Sequence, residues 1–218
     1  DRIGVLKQRI NEADFPFLGA NIIERSTGQV IQWPNTKASF IREVGGYQVG
    51  IIGLATPSTP QTTRPQNIQT LEFSSPKPVV LQQARELRRR GADLVVLVAH
   101  LGASCEDTSD PNNLASCDNR DELFRLLNEL PRGVVDIALG GHTHSLAAHW
   151  INGTATLESG HRGRYFGWIQ ACPSSQGGLD RVHSVIHRPV PTCIDTWADG
   201  TCGRIEQPTE IASAQYHG

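Results

Sequence analysis

The sequence predicts an α/β fold with neighbouring parallel strands, and three observations carry that prediction. "PVVLQQARELRRRGA" places Val80, Leu81, Ala84 and Leu87 on one helical face, with Gly91 positioned to cap the helix C-terminus. It runs directly into "DLVVLVAH", a short, nearly continuous apolar stretch of the kind that fills a strand covered on both faces. The same unit recurs downstream, where "DELFRLLNELPRG" precedes "VVDIALGGH". Consecutive helix–strand units set their strands side by side and parallel, with helices packed over them.

From the N-terminus, Ile3, Leu6 and Ile10 recur at helical spacing, so residues 2–13 read as a helix with Asp1 alone available to cap it. "FPFLGANI" reads as a strand. In "SFIREVGGYQVGIIGLAT" a glycine pair separates two alternating apolar runs, which predicts a hairpin. "PSTPQTTRPQN", rich in proline and polar residues, reads as a loop. The two helix–strand units follow. Beyond Ser145 come "AAHWING", "TATLESG", "RYFGWIQAC" and "RVHSVIHRP", short β-type runs broken by Gly and Pro that predict a β-meander. After Pro189 little periodicity remains. Residues 1–188 are therefore assigned to one domain and 189–218 to an irregular, bridged tail or linker.

Composition narrows the function classes. A chain of 218 residues with 38% hydrophobic content accommodates one domain with a substantial core. The net charge of −2, from 20 Lys+Arg against 22 Asp+Glu, offers no basic field for a nucleic-acid polymer or an anionic membrane. No apolar run approaches the roughly 20 residues that a transmembrane helix needs. The chain contains no Met, and its start lacks a charged segment followed by a continuous apolar one. With Asp1 leading straight into a helix, these features predict a piece of a larger protein.

Of the five cysteines, Cys105 and Cys117 flank the polar segment "EDTSDPNNLAS", and Cys193 and Cys202 flank "IDTWADGT". Structural zinc sites usually pair cysteines at closer spacing, whereas loop-closing bridges of this size are typical of secreted proteins. Both pairs are expected as disulfides in an exported protein, periplasmic or extracellular. Cys172 is left over. The sequon "NGT" at Asn152 reads as a chance occurrence.

Both helix–strand units end in histidine: the first delivers His100, the second His142 and His144. In an open parallel sheet, ligands bind beyond the carboxyl ends of the strands. His142 and His144 lie two apart, so on an extended segment they point the same way, about 6.6 Å from each other. Their imidazoles can converge on one metal or reach separate metals about 3.5–4 Å apart, as in two-metal hydrolases. His149, His161, His183, His187 and His217 read as structural or solvent-exposed, with His161 in "SGHRGRY" the one possible exception. Three neutral imidazoles leave a two-metal site incomplete, because dications held so close repel and bridging carboxylates normally offset the repulsion. Asp93 and Asp136 begin their strands, at the wrong end. Glu106 and Asp107 sit in the loop that the cysteines close. The anionic ligands are expected from elsewhere.

Taken in order, "FPFLGANI", "YQVGIIGLATPSTP", "GADLVVLVAHLG", "VDIALGGHTHS" and "ESGHRGRYFGW" resemble the metallophosphoesterase domain of bacterial 5′-nucleotidases and 2′,3′-cyclic-nucleotide phosphodiesterases, across about residues 1–188. The resemblance implies part of a calcineurin-like α/β/β/α sandwich, two divalent metal ions (zinc, manganese or similar) and a nucleotide or other phosphoester substrate. It aligns His100 with the histidine of A-H-x-G, and His142 and His144 with those of G-H-x-H. By the same resemblance His100 and His142 serve one metal and His144 the other, while Gly102, His161 and Arg164 stand behind the ligands or in the pocket wall. The family's D-x-H, G-D and G-N-H-[ED] motifs do not occur in the sequence, nor does its carboxy-terminal nucleotide-binding domain. The resemblance therefore implies the distal portion of a hydrolase, weak in metal binding and incomplete by itself. Two other readings are a non-catalytic metal- or ligand-binding protein that retains the fold and part of the site, and a mononuclear zinc hydrolase using the three histidines, which lacks a nearby general base.

Overall fold

The computed structural model describes residues 2–192, 195–196 and 202–204. Its centre is a six-stranded mixed sheet. The strands are β1 (Ser39–Val44), β2 (Tyr47–Leu54), β3 (Leu94–Ala99), β4 (Ile137–Leu139), β5 (Leu146–Ile151) and β6 (Thr154–Ser159). Their spatial order is β5-β6-β4-β3-β2-β1. Neighbours from β2 to β3, β3 to β4 and β4 to β6 are parallel, and the two edge strands are antiparallel. The β1–β2 hairpin turns on Gly45 and Gly46, both in the left-handed region that a two-residue hairpin turn requires.

Among the described residues three helices of two turns or more accompany the sheet: α1 (Arg2–Glu12), α2 (Pro76–Arg89) and α3 (Glu122–Glu129). Helix α2 begins on proline, whose fixed φ suits a first turn, and stops at left-handed Gly91. It buries Val80, Ala84 and Leu87 against the sheet, and a side chain at Gly50 of β2 would come within 3.0 Å of Leu87. Helix α3 buries Leu123, Phe124, Leu126 and Leu127 in the same core. Fully buried Ile52, Leu87, Leu97, Leu101, Leu123 and Leu127 each contribute about 1.5–3 kcal/mol. On the opposite face Ile137, Ala148, Trp150, Ala155 and Leu157 pack with Ile186, but that cover stops short of the carboxyl ends of the strands. There Val98 and Leu139 remain 45% and 36% exposed.

The other end of the sheet is closed by Asp136. Its buried carboxylate accepts from the Val95 amide (2.6 Å) and pairs with Arg88. Burial pushes its pKa up, while these donors and the Arg88 charge oppose the shift.

Several segments depart from the periodicity. "PSTPQTTRPQN" contains a helical turn at Thr59–Thr62 and a 3-10 turn at Pro65–Asn67, each with a proline at its start. "FPFLGANI" divides into Phe17–Leu18 and the start of Ile22–Glu24. Between them Asn21 is fully buried, donating to the carbonyls of Ala55 and Ser74 and accepting from the Ala55 amide. The expected meander is dispersed: "AAHWING" and "TATLESG" join the main sheet, while Tyr165–Phe166 pairs with Val190–Pro191 and Ile169–Gln170 with Val185–Ile186.

Cys105 and Cys117 form a disulfide. The expected Cys193–Cys202 bridge lies outside the described residues. Cys172 is a free thiol that donates to the His183 carbonyl. The Asn152 side-chain amide is engaged by the carbonyls of Leu127 and Leu130, both at 2.9 Å. Among the described residues no helix is long and apolar enough to cross a membrane.

Candidate metal centre

Strand β3 delivers His100, whose amide donates to Leu54 (2.9 Å) and extends the ladder by one residue. Strand β4 runs into Gly140 and Gly141, whose amides donate to Leu157 and Leu101. A side chain at Gly140 would meet Leu123 at 2.8 Å and the Leu101 carbonyl at 3.1 Å, so the turn passes through a gap that only glycine fits. His142 (φ +90°) and His144 (φ +61°) then both adopt left-handed conformations. Non-glycine residues held there cost about 1–3 kcal/mol each, and such strain concentrates at functional sites. Gly102 explains how the strand ends lock together. A Cβ at that position would fall 2.1 Å from the Thr143 methyl, so the A-H-L-G glycine makes room for the residue between the two histidines.

The structure brings His100 and His142 together. His142 Nδ1 lies 3.1 Å from His100 Nε2, with the rings edge to face at 4.8 Å. Two imidazole nitrogens at about 2.0–2.1 Å from one ion, at angles between square and tetrahedral, lie about 2.9–3.4 Å apart, so this pair fits two vertices of a divalent coordination shell. Partial burial, and then the neighbouring His142, hold the His100 pKa below its ordinary value, which favours the neutral form that ligates.

His144 is placed differently. Its ring stacks on His161 at 4.7 Å. His161 follows left-handed Gly160, and the turn closes through the Arg164 amide donating to the His161 carbonyl (3.1 Å). His161 Nδ1 is buried without a hydrogen-bond partner. Desolvation, then His144 and the Arg164 and Arg162 charges, lower the His161 pKa. Arg164 is exposed beside it. Among the described residues, the one set of three His, Cys, Asp or Glu groups with ligand atoms within 4.8 Å of one another is Cys105, Cys117 and His149, whose two sulfurs are already bonded. The histidine end of the sheet thus offers a two-nitrogen half-site and a separate third imidazole.

One group escaped the sequence reading. Glu158, on β6, is 1% exposed and lies beneath both histidine loops. Its Oε2 accepts from the Ala103 amide (2.8 Å) and its Oε1 from the Thr143 hydroxyl (2.9 Å). Burial raises its pKa, and these donors oppose the shift. The only signal in the sequence was a carboxylate inside "TATLES". Glu122, which accepts from the Thr56 hydroxyl, adds negative charge near His100.

No family model matches the chain. It is 26% identical over 159 residues to the cell wall protein Lmo0130 of Listeria monocytogenes, covering 71% of this chain and 20% of that protein. It is 29% identical over 143 residues to a 5′-nucleotidase of Vibrio cholerae, covering 64% of this chain and 23% of the relative. The chain thus spans about a fifth to a quarter of the length of these relatives. In structure it resembles a putative 5′-nucleotidase from Staphylococcus aureus (TM-score 0.66, 24% identity, 89% of this chain and 37% of that one). It also resembles the calcineurin-like phosphoesterase YfkN from Bacillus subtilis (TM-score 0.62, 20% identity, 85% and 57%). The chain is therefore a homologue of the 5′-nucleotidases, with a calcineurin-like phosphoesterase fold that matches part of those longer proteins.

Proposed function

We propose that the chain is the distal part of an exported, two-metal phosphoesterase that hydrolyses nucleotides, in which His100 and His142 ligate one divalent ion and His144 the other. The observation that carries this reading is the His100–His142 nitrogen pair at the carboxyl ends of two adjacent parallel strands. Strain at His142 and His144 and the 5′-nucleotidase homology support it. Divalent ions in such a site neutralise charge on phosphoryl oxygens and acidify a water.

The chain's own residues do the rest. The backbone of the two strand ends fixes the imidazoles, and Gly102 leaves room for Thr143. His161 and Arg164 form a wall beside His144 that is suited to an anionic substrate. Two buried acids near the sheet are already engaged, Asp136 with Arg88 and Glu158 with Ala103 and Thr143, so the reading draws the remaining charge balance from other carboxylates. The pair Val98 and Leu139, two and three residues before His100 and His142, stays exposed on this end of the sheet. Within the chain, residues 1–188 form the phosphoesterase portion and 189–218 the tail or linker. Export is supported by the Cys105–Cys117 disulfide and by the likeness to a cell wall protein.

Titration with Mn²⁺ or Zn²⁺ tests the ligand assignment. Binding is expected to be weak and to disappear in His142→Ala and His100→Ala. Unchanged binding in both variants places the metal elsewhere and overturns the reading.

A further inference from the structure

We infer that Glu158 is a positioning residue for the metal ligands: it holds the G-H-T-H turn at a fixed distance from the A-H-L-G loop and so sets the separation of His142 from His100. The inference rests on the ligand assignment above, but its evidence is separate. Glu158 is almost wholly buried, yet it bonds no cation; each of its donors belongs to one of the two histidine-bearing loops. Ala103 lies three residues after His100. Thr143 lies between His142 and His144. One carboxylate therefore ties both loops together behind the ligands.

The surroundings leave it little freedom. Glu158 lies opposite Ala147 in the β5–β6 ladder, and an added Cβ at Gly140 would come within 3.5 Å of Oε2. The Gly160 amide, two residues on, donates to the Ser145 carbonyl (2.9 Å), so the backbone on either side is pinned as well. A carboxylate is a pure acceptor and can take amide and hydroxyl donors on both oxygens at once. An apolar side chain in this position leaves the Ala103 amide without an acceptor and frees the Thr143 side chain. The left-handed conformations of His142 and His144 persist only where the surroundings over-determine them, and Glu158 supplies that constraint.

Groups that orient metal ligands typically change metal affinity 10–100-fold when removed. In the full chain, Glu158→Ala is expected to raise the Kd for Mn²⁺ by about tenfold or more. Glu158→Gln, which keeps one oxygen acceptor and can donate to the reversed Thr143 hydroxyl, is expected to restore most of the affinity. Thr143→Val, which keeps the shape and removes one of the two donors, should weaken binding to an intermediate degree. The ring ¹H–¹³C signals of His100 and His142 in metal-free protein supply a second readout. They should shift in Glu158→Ala and return towards wild type in Glu158→Gln. If Glu158→Ala does not fold, Thr143→Val and Glu158→Gln carry the test, with circular dichroism and thermal melting as controls for the fold. Folded variants with wild-type affinity and unmoved histidine signals, in a protein whose His142→Ala variant has lost the metal, overturn the role of Glu158 while leaving the ligand assignment standing. Retention of metal by His142→Ala instead rejects the assignment itself.

Discussion

Val98 and Leu139 are register partners on adjacent central strands, and both remain exposed to solvent. Central strands of a parallel sheet are normally covered on both faces, so these two exposed aliphatic side chains give a direct test of whether anything packs on this face. In the 218-residue chain, Leu139→Ser should change stability by less than about 0.5 kcal/mol, as expected for an exposed position. In a longer form that covers this face, the same substitution should cost about 2–5 kcal/mol, the range for truncating a buried leucine. Urea denaturation of both forms checks this. Equal effects in the two would mean that nothing packs on this face.

The Cys105–Cys117 bridge closes a loop of twelve residues' separation on the disulfide-bonded side of the A-H-L-G segment. Chain entropy assigns such a crosslink about 3 kcal/mol. The double substitution Cys105→Ser, Cys117→Ser should lower the unfolding free energy by about that amount, with little change in metal affinity. Peptide mapping without reductant should recover the 105–117 linkage from protein isolated from its natural compartment.

What the sequence revealed and what it hid follow from how each segment buries its side chains. Helix α2 and strand β3 were legible because Val80, Ala84 and Leu87 follow the helical period, and because Leu94–Ala99 is an unbroken apolar run. His100, His142 and His144 were legible because strand ends expose their chemistry. Glu158 was not. In β6 the residues Thr154, Thr156 and Glu158 are as buried as Ala155 and Leu157, so the polar–apolar alternation reads as one solvated face where there is none. His161 reaches His144 through a turn with left-handed Gly160 and Arg162, and spacing alone does not encode that approach.

His149 is fully buried on β5, and burial is the main cause of its lowered pKa, with Asp107 and Asp110 opposing. A histidine with a depressed folded-state pKa binds its proton more weakly in the native than in the unfolded chain. Its contribution to stability is complete above the unfolded value near 6.5 and is lost as pH falls through the lower folded value. Stability should therefore decline on acidification below about pH 6.5. His149→Phe, which keeps a buried ring without a titrating group, should flatten that part of the profile. An unchanged slope would assign the effect to His100 and His161, whose pKa values are also lowered.

Catalysis sets the most demanding test. Two-metal hydrolysis needs both ions held in register, and dications at that spacing repel unless carboxylates offset their charge. At the strand ends His100 and His142 form one pair, while His144 stacks on His161. The 218 residues alone should therefore hydrolyse neither nucleoside monophosphates nor a chromogenic phosphodiester at a useful rate. A longer chain that adds a carboxylate-bearing segment over Val98 and Leu139 should do so with chelator-sensitive turnover, abolished by His100→Ala or His144→Ala. If the longer chain binds metal through these histidines yet turns over nothing, the non-catalytic metal-binding reading takes its place. Chelator-sensitive turnover by the 218-residue chain would show instead that it assembles a complete centre from its own residues, with Glu122 and Glu158 the first carboxylates to examine.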